Sequence, residues 1–328
     1  MIDGAVLSWL LEPENPSARS LSLTGILDRS ASDPDVVAAR ARIPGWGPAR
    51  AILDAQWPDG YWMRSGPGYS PKYKATVWQV IFLAALGAPR TKAIDRACGQ
   101  VLSYSRLPDG RFSTRKSVAG AVPCLSGNLL RALLQLGYED ARLESSLEAL
   151  AVMVARHGFR CRYNATRPFP VCMGAGLPCA WGAIKVLGAI AQIPEIQRSP
   201  AVQSTVEAGI EFLLGRALES GDYPTATATN PIWLRFGFPL GYTSDLVEAL
   251  EVLGRLGAIE HVRLASATEA VLEKMDESGR WVLEYTPDNT WATFGKVGQP
   301  NKWVTQRALS ALRRFNLDQQ VVPMACKQ

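Results

Sequence analysis

Gln56-Trp57-Pro58-Asp59-Gly60-Tyr61-Trp62 is the stretch that decides the fold, because its frame, Q-x3-G-x-W, returns along the chain. The glycines of the copies are 48 to 63 residues apart. A period of this size is typical of one supersecondary unit stacked several times, so we predict a repeat architecture. The looser copies are Gly110-Arg111-Phe112, Gly158-Phe159, Gly221-Asp222-Tyr223 and Gly279-Arg280-Trp281.

Each repeat is predicted to contain two kinds of helix. The first is amphipathic, with apolar residues spaced as in Val202, Val206 and Ile210, and the second is apolar almost all round and therefore buried. Their alternation predicts an all-α fold, an α6/α6 toroid in which inner helices surround an axis. The outer helices are predicted at Lys92–Tyr104, Leu143–Arg156, Val202–Leu218 and Val262–Met275, and the inner ones at Val77–Leu86, Leu125–Leu136, Ala180–Ile193, Leu246–Leu256 and Trp303–Phe315.

The bulk composition bounds the class of protein. A chain of 328 residues with 47% hydrophobic content can bury a large core, and we predict one toroid domain with N-terminal helices in 1–58, repeats in 59–316 and a tail in 317–328. The first 58 residues are expected to supply about three helices, including a sixth pair. The sequence contains no run of 18 apolar residues, so we predict no transmembrane segment. An apolar exterior would still be compatible with peripheral membrane contact. Six cysteines without a secretory signal favour free thiols and a cytoplasmic location.

The Q-x3-G-x-W frame on an αα repeat resembles the superfamily of squalene-hopene cyclases and protein prenyltransferase β-subunits, over roughly residues 30–316. The resemblance implies the toroid and a structural role for Gln56 and Trp62, which tie neighbouring repeats together in that family. The D-x-D-D acid motif of the class II cyclases is absent from this sequence. The prenyltransferase zinc motif, an Asp, a Cys two residues later and a distant His, is not matched by His157 or His261 either. The resemblance therefore implies the fold and leaves the chemistry open.

Basic residues are concentrated in the five loops that connect each Gly-x-aromatic element to its inner helix. These loops, 63–76, 111–122, 159–178, 222–241 and 280–302, carry thirteen basic and three acidic side chains. Their net charge is +10, whereas the whole chain carries +5. If the loops emerge at one end of the ring, they form a cationic rim that attracts an anionic ligand. The alternative is that these charges only aid solubility.

Aromatic residues accompany the basic loops and could contact an apolar chain or a cation. We therefore predict a site for a small amphiphilic anion of the isoprenoid type, with its acidic head at the rim. Nucleic acid is not predicted as a partner, because no nucleic-acid motif is present. The head is expected to contact Lys74, Arg115, Arg162, Arg235 and Lys302, and the rest of the ligand Trp78, Asn128, Trp181, Lys185, Tyr242 and Trp303.

Asp245 stands where the fourth of the five inner helices assigned above is predicted to begin. Among aromatic residues its pKa would be raised, and it would serve as a catalytic proton donor or acceptor. The alternative is a helix cap, a role that Asp often fills. Lys185 lies within an otherwise apolar inner helix and needs a partner, for which Asp245 and Glu248 are the candidates.

Cys124 and Cys179 each follow a proline at the predicted start of an inner helix. A helix N-terminus lowers the pKa of a thiol, so both are candidate catalytic residues. Together with Cys172 and either Cys161 or His157, they could hold Zn²⁺ tetrahedrally. The alternative is that they are small buried hydrophobic residues.

The leading hypothesis is a terpenoid cyclase-like or prenyltransferase-like enzyme. The first alternative is a toroid that binds a ligand or partner without catalysis, and the second is a zinc enzyme with cysteine ligands that acts on another small molecule. A carbohydrate-active barrel is a weaker alternative, because it needs paired carboxylates at the rim. The acidic residues there are Asp222, Glu284 and Asp288.

Overall fold

Thirteen α-helices, several short 3-10 helices and only isolated β-bridges make up the regular structure of the residues that the computed structural model describes. These residues are 2–160, 178–215, 217–220, 231–260 and 262–315. The helices are α1 (Gly4–Leu10), α2 (Pro16–Gly25), α3 (Pro34–Arg42), α4 (Gly47–Asp54), α5 (Thr76–Ala85), α6 (Lys92–Tyr104), α7 (Pro123–Gln135), α8 (Arg142–His157), α9 (Ala180–Ile190), α10 (Pro200–Leu214), α11 (Leu246–Arg255), α12 (Ala265–Leu272) and α13 (Lys302–Arg314).

Six of these helices form an inner ring. Contacts run from α5 through α7, α9, α11 and α13 to α2. The gap between α2 and α5 is bridged by Ser17, whose hydroxyl donates to the Leu86 carbonyl at 2.7 Å. The other helices pack outside this ring as α1, the α3–α4 pair, α6, α8, α10 and α12. The predicted α6/α6 toroid is confirmed.

Burial separates the two kinds of helix as predicted. All eleven residues of α9 are buried, and so are the first nine of α5. In α6 the buried residues Ile94, Ala97, Cys98 and Val101 recur at helical spacing, while the opposite face is exposed. An amphipathic outer layer around an apolar inner layer is the arrangement that buries most of the hydrophobic side chains.

The repeated Gly-x-aromatic element makes the same contact in three repeats. The backbone N–H of its aromatic residue donates to a hydroxyl in the first turn of the following inner helix. This hydrogen bond fixes where each inner helix begins relative to its motif. The donor and acceptor residues are Trp62 and Thr76 (3.1 Å), Phe112 and Ser126 (3.0 Å), and Trp281 and Thr305 (3.0 Å).

Gln56 joins its repeat to the next one, as the resemblance implies. Its side-chain amide donates to the Gly60 carbonyl at 3.1 Å and to the Ala93 carbonyl of α6 at 3.0 Å. Gly60 has φ +93°, and a Cβ atom there would lie 2.6 Å from the Arg96 backbone. The motif glycine is therefore required both by its backbone conformation and by the close approach of α6.

Two expectations about the helices need correction. The first 58 residues contain four helices, of which α1 and α2 form the sixth pair. The inner helices α7, α11 and α13 are less apolar than predicted, because charged side chains such as Arg131 and Arg307 pair with carboxylates of neighbouring inner helices. The Gly221 copy, His261 and the predicted tail lie outside the described residues. Within the described ranges, no helix combines the length and apolar character needed to cross a membrane.

Candidate functional site

Three of the five loops that precede the inner helices meet at one end of the ring. The Tyr73 and Tyr285 hydroxyl groups are 3.3 Å apart, and the Trp291 indole N–H donates to the Lys74 carbonyl at 2.9 Å. The Phe238 N–H donates to the Tyr285 carbonyl at 3.1 Å. These contacts join the loops before α5, α11 and α13 at what we call the aromatic end.

Three of the predicted ligand contacts, Trp78, Trp181 and Tyr242, come together at the aromatic end. The ring centroids of Trp78 and Tyr242 are 6.5 Å apart, and those of Trp181 and Tyr242 are 6.0 Å apart, both edge to face. Tyr69 and Tyr73 pack on the other sides of Trp78, at 5.0 and 5.1 Å. The cluster offers ring edges and faces from three inner helices or their preceding loops.

Four buried polar atoms in this neighbourhood have no hydrogen-bond partner among the described residues. They are the indole nitrogen of Trp181, the hydroxyl groups of Thr243 and Ser244, and the side-chain oxygen of Gln79. Buried polar atoms in folded proteins are nearly always hydrogen-bonded, to protein or to ordered water. Each of the four therefore has hydrogen-bonding capacity that the described residues do not use.

Lysine side chains lie over the aromatic rings of this cluster. Lys72 Nζ is 3.7 Å from the centroid of Tyr242, and Lys74 Nζ is 5.0 Å from that of Trp291. Burial and the neighbouring Tyr285 raise the pKa of Tyr73, so its hydroxyl group stays protonated. Positive charge and neutral hydrogen-bonding groups thus stand beside an apolar aromatic surface.

The structure describes three of the four remaining residues that were predicted to contact the anionic head. Arg115 and Arg235 are exposed, while Arg162 lies outside the described residues. The ammonium group of Lys302 pairs with Glu12, just after α1. Its predicted contact with the head group stays a prediction.

Trp303 packs between helices and does not join the aromatic cluster. Its ring stacks on Phe238 at 4.8 Å, and its indole N–H donates to Ser17 at 2.8 Å. It holds α13 against α2 where the ring closes. Its predicted contact with a ligand stays a prediction.

Asp245 is fully buried and is the N-cap of α11. Its carboxylate accepts the backbone N–H groups of Glu248 at 2.8 Å and Gly237 at 3.0 Å. The guanidinium of Arg307 donates to both oxygens, at 2.9 and 3.0 Å. Because both carboxylate oxygens already accept hydrogen bonds from these donors, the carboxyl group is not placed to donate a proton. The predicted proton donor is wrong, and the helix-cap alternative is confirmed.

Lys185 finds its partner as predicted, and the partner is Glu248. The Lys185 ammonium is 2.8 Å from both carboxylate oxygens, and the lysine side chain is 1% exposed. Asn128 donates to the Gly241 carbonyl at 2.6 Å and so ties α7 to the loop before α11. Their predicted contact with a ligand stays a prediction.

Cys124 and Cys179 lie at the amino-terminal ends of α7 and α9 and approach each other around Gly182. A Cβ atom on Gly182 would lie 3.7 Å from Cys179 Cβ and 3.9 Å from the Cys124 nitrogen. Both are half-buried and form no disulfide. In contrast, complete burial raises the pKa of Cys98 to about 12.

The zinc site stays a prediction. The described residues contain no group of three or more potential His, Cys, Asp or Glu ligands. Cys161 and Cys172 lie outside the described residues, and His157 is exposed at the end of α8.

A cavity lies inside the ring and reaches from Phe238 at the aromatic end to the last turns of α11 and α13. We call it the charged cavity; it has a volume of about 160 Å³. Arg307 reaches the cavity from α13. Burial acts to lower the pKa of Arg307, but Asp245 and Glu251 outweigh burial, so the pKa is raised. The ionisable residues that line the cavity are Arg131, Lys185, Glu248, Glu251, Arg255, Arg307 and Arg314.

The helix ring places the protein among the α/α toroids. No family model and no curated protein matches the chain. A solved glycosidase is similar over 97% of this chain and 100% of its own, with 10% identity and a TM-score of 0.38. The type II terpene cyclase MstE from Scytonema, solved with its product merosterolic acid A, is similar over 92% and 97%, with 13% identity and a TM-score of 0.31. These similarities carry no assignment of activity.

Of the carboxylates considered for a carbohydrate-active barrel, Glu284 is held by contacts within the protein. Glu284 accepts two short hydrogen bonds from Lys274, at 2.6 and 2.7 Å, and one from the Phe236 N–H at 2.9 Å. It therefore anchors a loop to the end of α12. Asp222 lies outside the described residues.

Sequence reasoning did not identify Thr243 and Ser244 as site residues, nor Arg131 and Arg307 inside the ring. Arg131 and Arg307 were detectable in principle, because a charge within a buried helix needs a partner. Thr243 and Ser244 carried no such signal, because a hydroxyl beside a helix start is commonly an ordinary cap.

Proposed function

We propose that the protein binds an amphiphilic anion of the isoprenoid type at the aromatic end of its helix ring. The observation that carries this proposal is the buried Trp181 N–H, which has no acceptor among the described residues and lies beside the Tyr242 ring. An anionic oxygen would satisfy this donor and the nearby Thr243 and Ser244 hydroxyl groups. The aromatic rings would contact the apolar part, and Lys72 over Tyr242 would supply the charge.

A second candidate function is catalysis on that ligand, of the terpenoid cyclase or prenyltransferase type that the sequence resemblance implies. Cys124 and Cys179 favour it, because both thiols stand at helix N-termini and Cys179 precedes Trp181 by two residues. With Cys172 and either Cys161 or His157, the pair would hold the predicted zinc. Without chemistry at these thiols, the protein would be a ligand-binding toroid.

Binding is tested by titrating the protein with farnesyl diphosphate and following tryptophan fluorescence. Farnesol, which lacks the anion, and inorganic diphosphate, which lacks the chain, should each bind more weakly. Trp181→Phe should weaken farnesyl diphosphate binding about tenfold, because one hydrogen bond to a charged group is lost.

Trp57→Phe is the matched control, because Trp57 is 54% exposed outside the ring. Equal affinity of the Trp181→Phe and Trp57→Phe proteins would contradict the proposed site. Equal affinity for farnesyl diphosphate and farnesol would contradict an anion-binding role.

Catalysis is tested by mass spectrometry of farnesyl diphosphate after long incubation with the protein. A new product that disappears in the Cys124→Ser and Cys179→Ser proteins would support the thiols. An unchanged ligand would favour the non-catalytic toroid, and native mass spectrometry without chelator would detect one bound zinc.

A further inference from the structure

The charged cavity begins at Phe238 and Leu240 near the aromatic end and extends to the opposite end of the ring. Its wall includes the last residues of several inner helices, among them Gly25 of α2, Gln135 of α7 and Arg255 of α11. The aromatic cluster instead lies at or just before the first residues of α5, α9 and α11. Arg255 and Arg314, the last residues of α11 and α13, therefore lie away from the aromatic cluster, where they can bind a ligand of their own.

The size of the charged cavity limits its ligand. Pockets for drug-sized molecules usually measure about 300 to 1,000 Å³, and this cavity measures about 160 Å³. An isoprenoid chain does not fit such a space. A small ion or a small polar metabolite does.

The charges around the cavity do not balance. Five basic and two acidic side chains line it, and the buried Asp245 behind Arg307 supplies a third carboxylate. The carboxylates are used by Arg131, Lys185 and Arg307. Among the described residues, Arg255 and Arg314 form no ion pair, so two positive charges remain uncompensated.

The arginines of the cavity are close enough to affect one another. Partial removal of the Arg255 side chain from water, together with Arg131 and Arg314, lowers the pKa of Arg255, although Glu251 opposes them. The Nε atom of Arg131 is buried and has no hydrogen-bond partner among the described residues. An anion between these groups would relieve their repulsion and accept their N–H donors.

We propose that the charged cavity is a second ligand site, which binds a small phosphate-type dianion between Arg131, Arg255 and Arg314. Polar side chains complete the wall without adding negative charge; they are Thr24, Asn128, Gln135, Gln306 and Ser310. Two uncompensated cations match the two charges of such an anion. The proposal does not depend on the function of the aromatic end.

Isothermal titration of the whole protein with inorganic phosphate, at constant ionic strength, tests the site. Arg255→Gln and Arg314→Gln should each weaken phosphate binding about tenfold. Both residues are exposed at the cavity, so neither change should impair folding. Arg50→Gln is the matched control, because Arg50 lies on α4 with 67% of its side chain exposed and should leave the affinity unchanged.

Absence of phosphate binding at millimolar concentrations would overturn the proposal. The same is true of an affinity that Arg255→Gln and Arg314→Gln do not change, or that Arg50→Gln weakens equally. Succinate is the comparator for a dicarboxylate, and tighter binding of succinate than of phosphate would rule out a phosphate site. Trp181→Phe should not alter phosphate binding, which separates this test from that of the aromatic end.

Discussion

Glu248 is the central carboxylate of an ion-pair network inside the ring. Lys185 donates to both of its oxygens at 2.8 Å, and Arg131 donates to one of them at 2.8 Å. Burial raises the pKa of Glu248, but the two cations outweigh burial and hold it below the usual 4.5. The ionised carboxylate therefore joins α7, α9 and α11.

Glu248→Gln should lower the free energy of unfolding by about 3 to 5 kcal/mol at pH 7, because it leaves the Lys185 charge buried without its counterion. Urea unfolding measures the change. Lys185→Met combined with Glu248→Leu removes both charges and should recover about half of the loss or more. If the double variant is no more stable than Glu248→Gln, the loss does not come from an unpaired charge.

The contribution of Glu248 also depends on pH. Because its pKa is lowered in the folded protein, the stabilisation is present above about 4.5 and is lost as the pH falls through the folded value. The stability difference between the wild type and Glu248→Gln should therefore shrink on acidification. A difference that stays constant from pH 7 to pH 3 would contradict the ionised pair.

The Gly-x-aromatic element works through backbone geometry. Gly60 combines φ +93° with a close approach to Arg96 of α6, whereas Gly137, after α7, has φ +69° and nothing within 4 Å of a Cβ atom. A substitution at Gly137 therefore meets backbone strain alone, whereas one at Gly60 meets both strain and a steric clash. Of the two glycines, only Gly60 allows its turn to approach α6 closely.

Gly60→Ala should destabilise the protein by more than about 2 kcal/mol, because strain and a clash with α6 add. Gly137→Ala, which meets strain alone, should cost about 1 kcal/mol. Urea unfolding of both variants gives the comparison. Equal losses would show that α6 yields to the added methyl group.

Closure of the ring depends on contacts between the two ends of the described chain. Ser17 of α2 accepts from the Trp303 indole of α13 and donates to the Leu86 carbonyl after α5. One buried hydroxyl thus joins α2 to α5 and to α13, which lies at the other end of the described chain. Because the hydroxyl is buried, water cannot replace it as the hydrogen-bond partner of these groups.

Ser17→Ala should lower the free energy of unfolding by about 1 to 3 kcal/mol, since the Trp303 N–H and the Leu86 carbonyl lose their partner. Hydrogen exchange should accelerate in α2 and α13 together, because the change opens the ring where they meet. The control is Ser8→Ala on α1, whose exposed hydroxyl only contacts its own helix at Gly4. Faster exchange in α2 alone would contradict a role in closure.

The helices and their layers could be predicted because their causes are local. Apolar spacing in Val202, Val206 and Ile210 and the turn glycine at Gly60 act over a few residues, so α10 and the motif turn were found close to their observed places. The site was predicted only in part. Trp78, Trp181 and Tyr242 do meet, because they lie near the amino ends of inner helices that the repeat aligns.

The roles of the charged residues could not be derived from the pattern along the chain. Asp245 pairs with Arg307 and Lys185 with Glu248, across more than 60 residues in each case. Trp303 reaches Ser17 across 286 residues. Local periodicity thus accounts for the repeat and for the burial of each helix, because both depend on near neighbours. The tertiary structure decided which charged and polar side chains pair inside the ring, because only the closed ring brings these distant residues within hydrogen-bond distance.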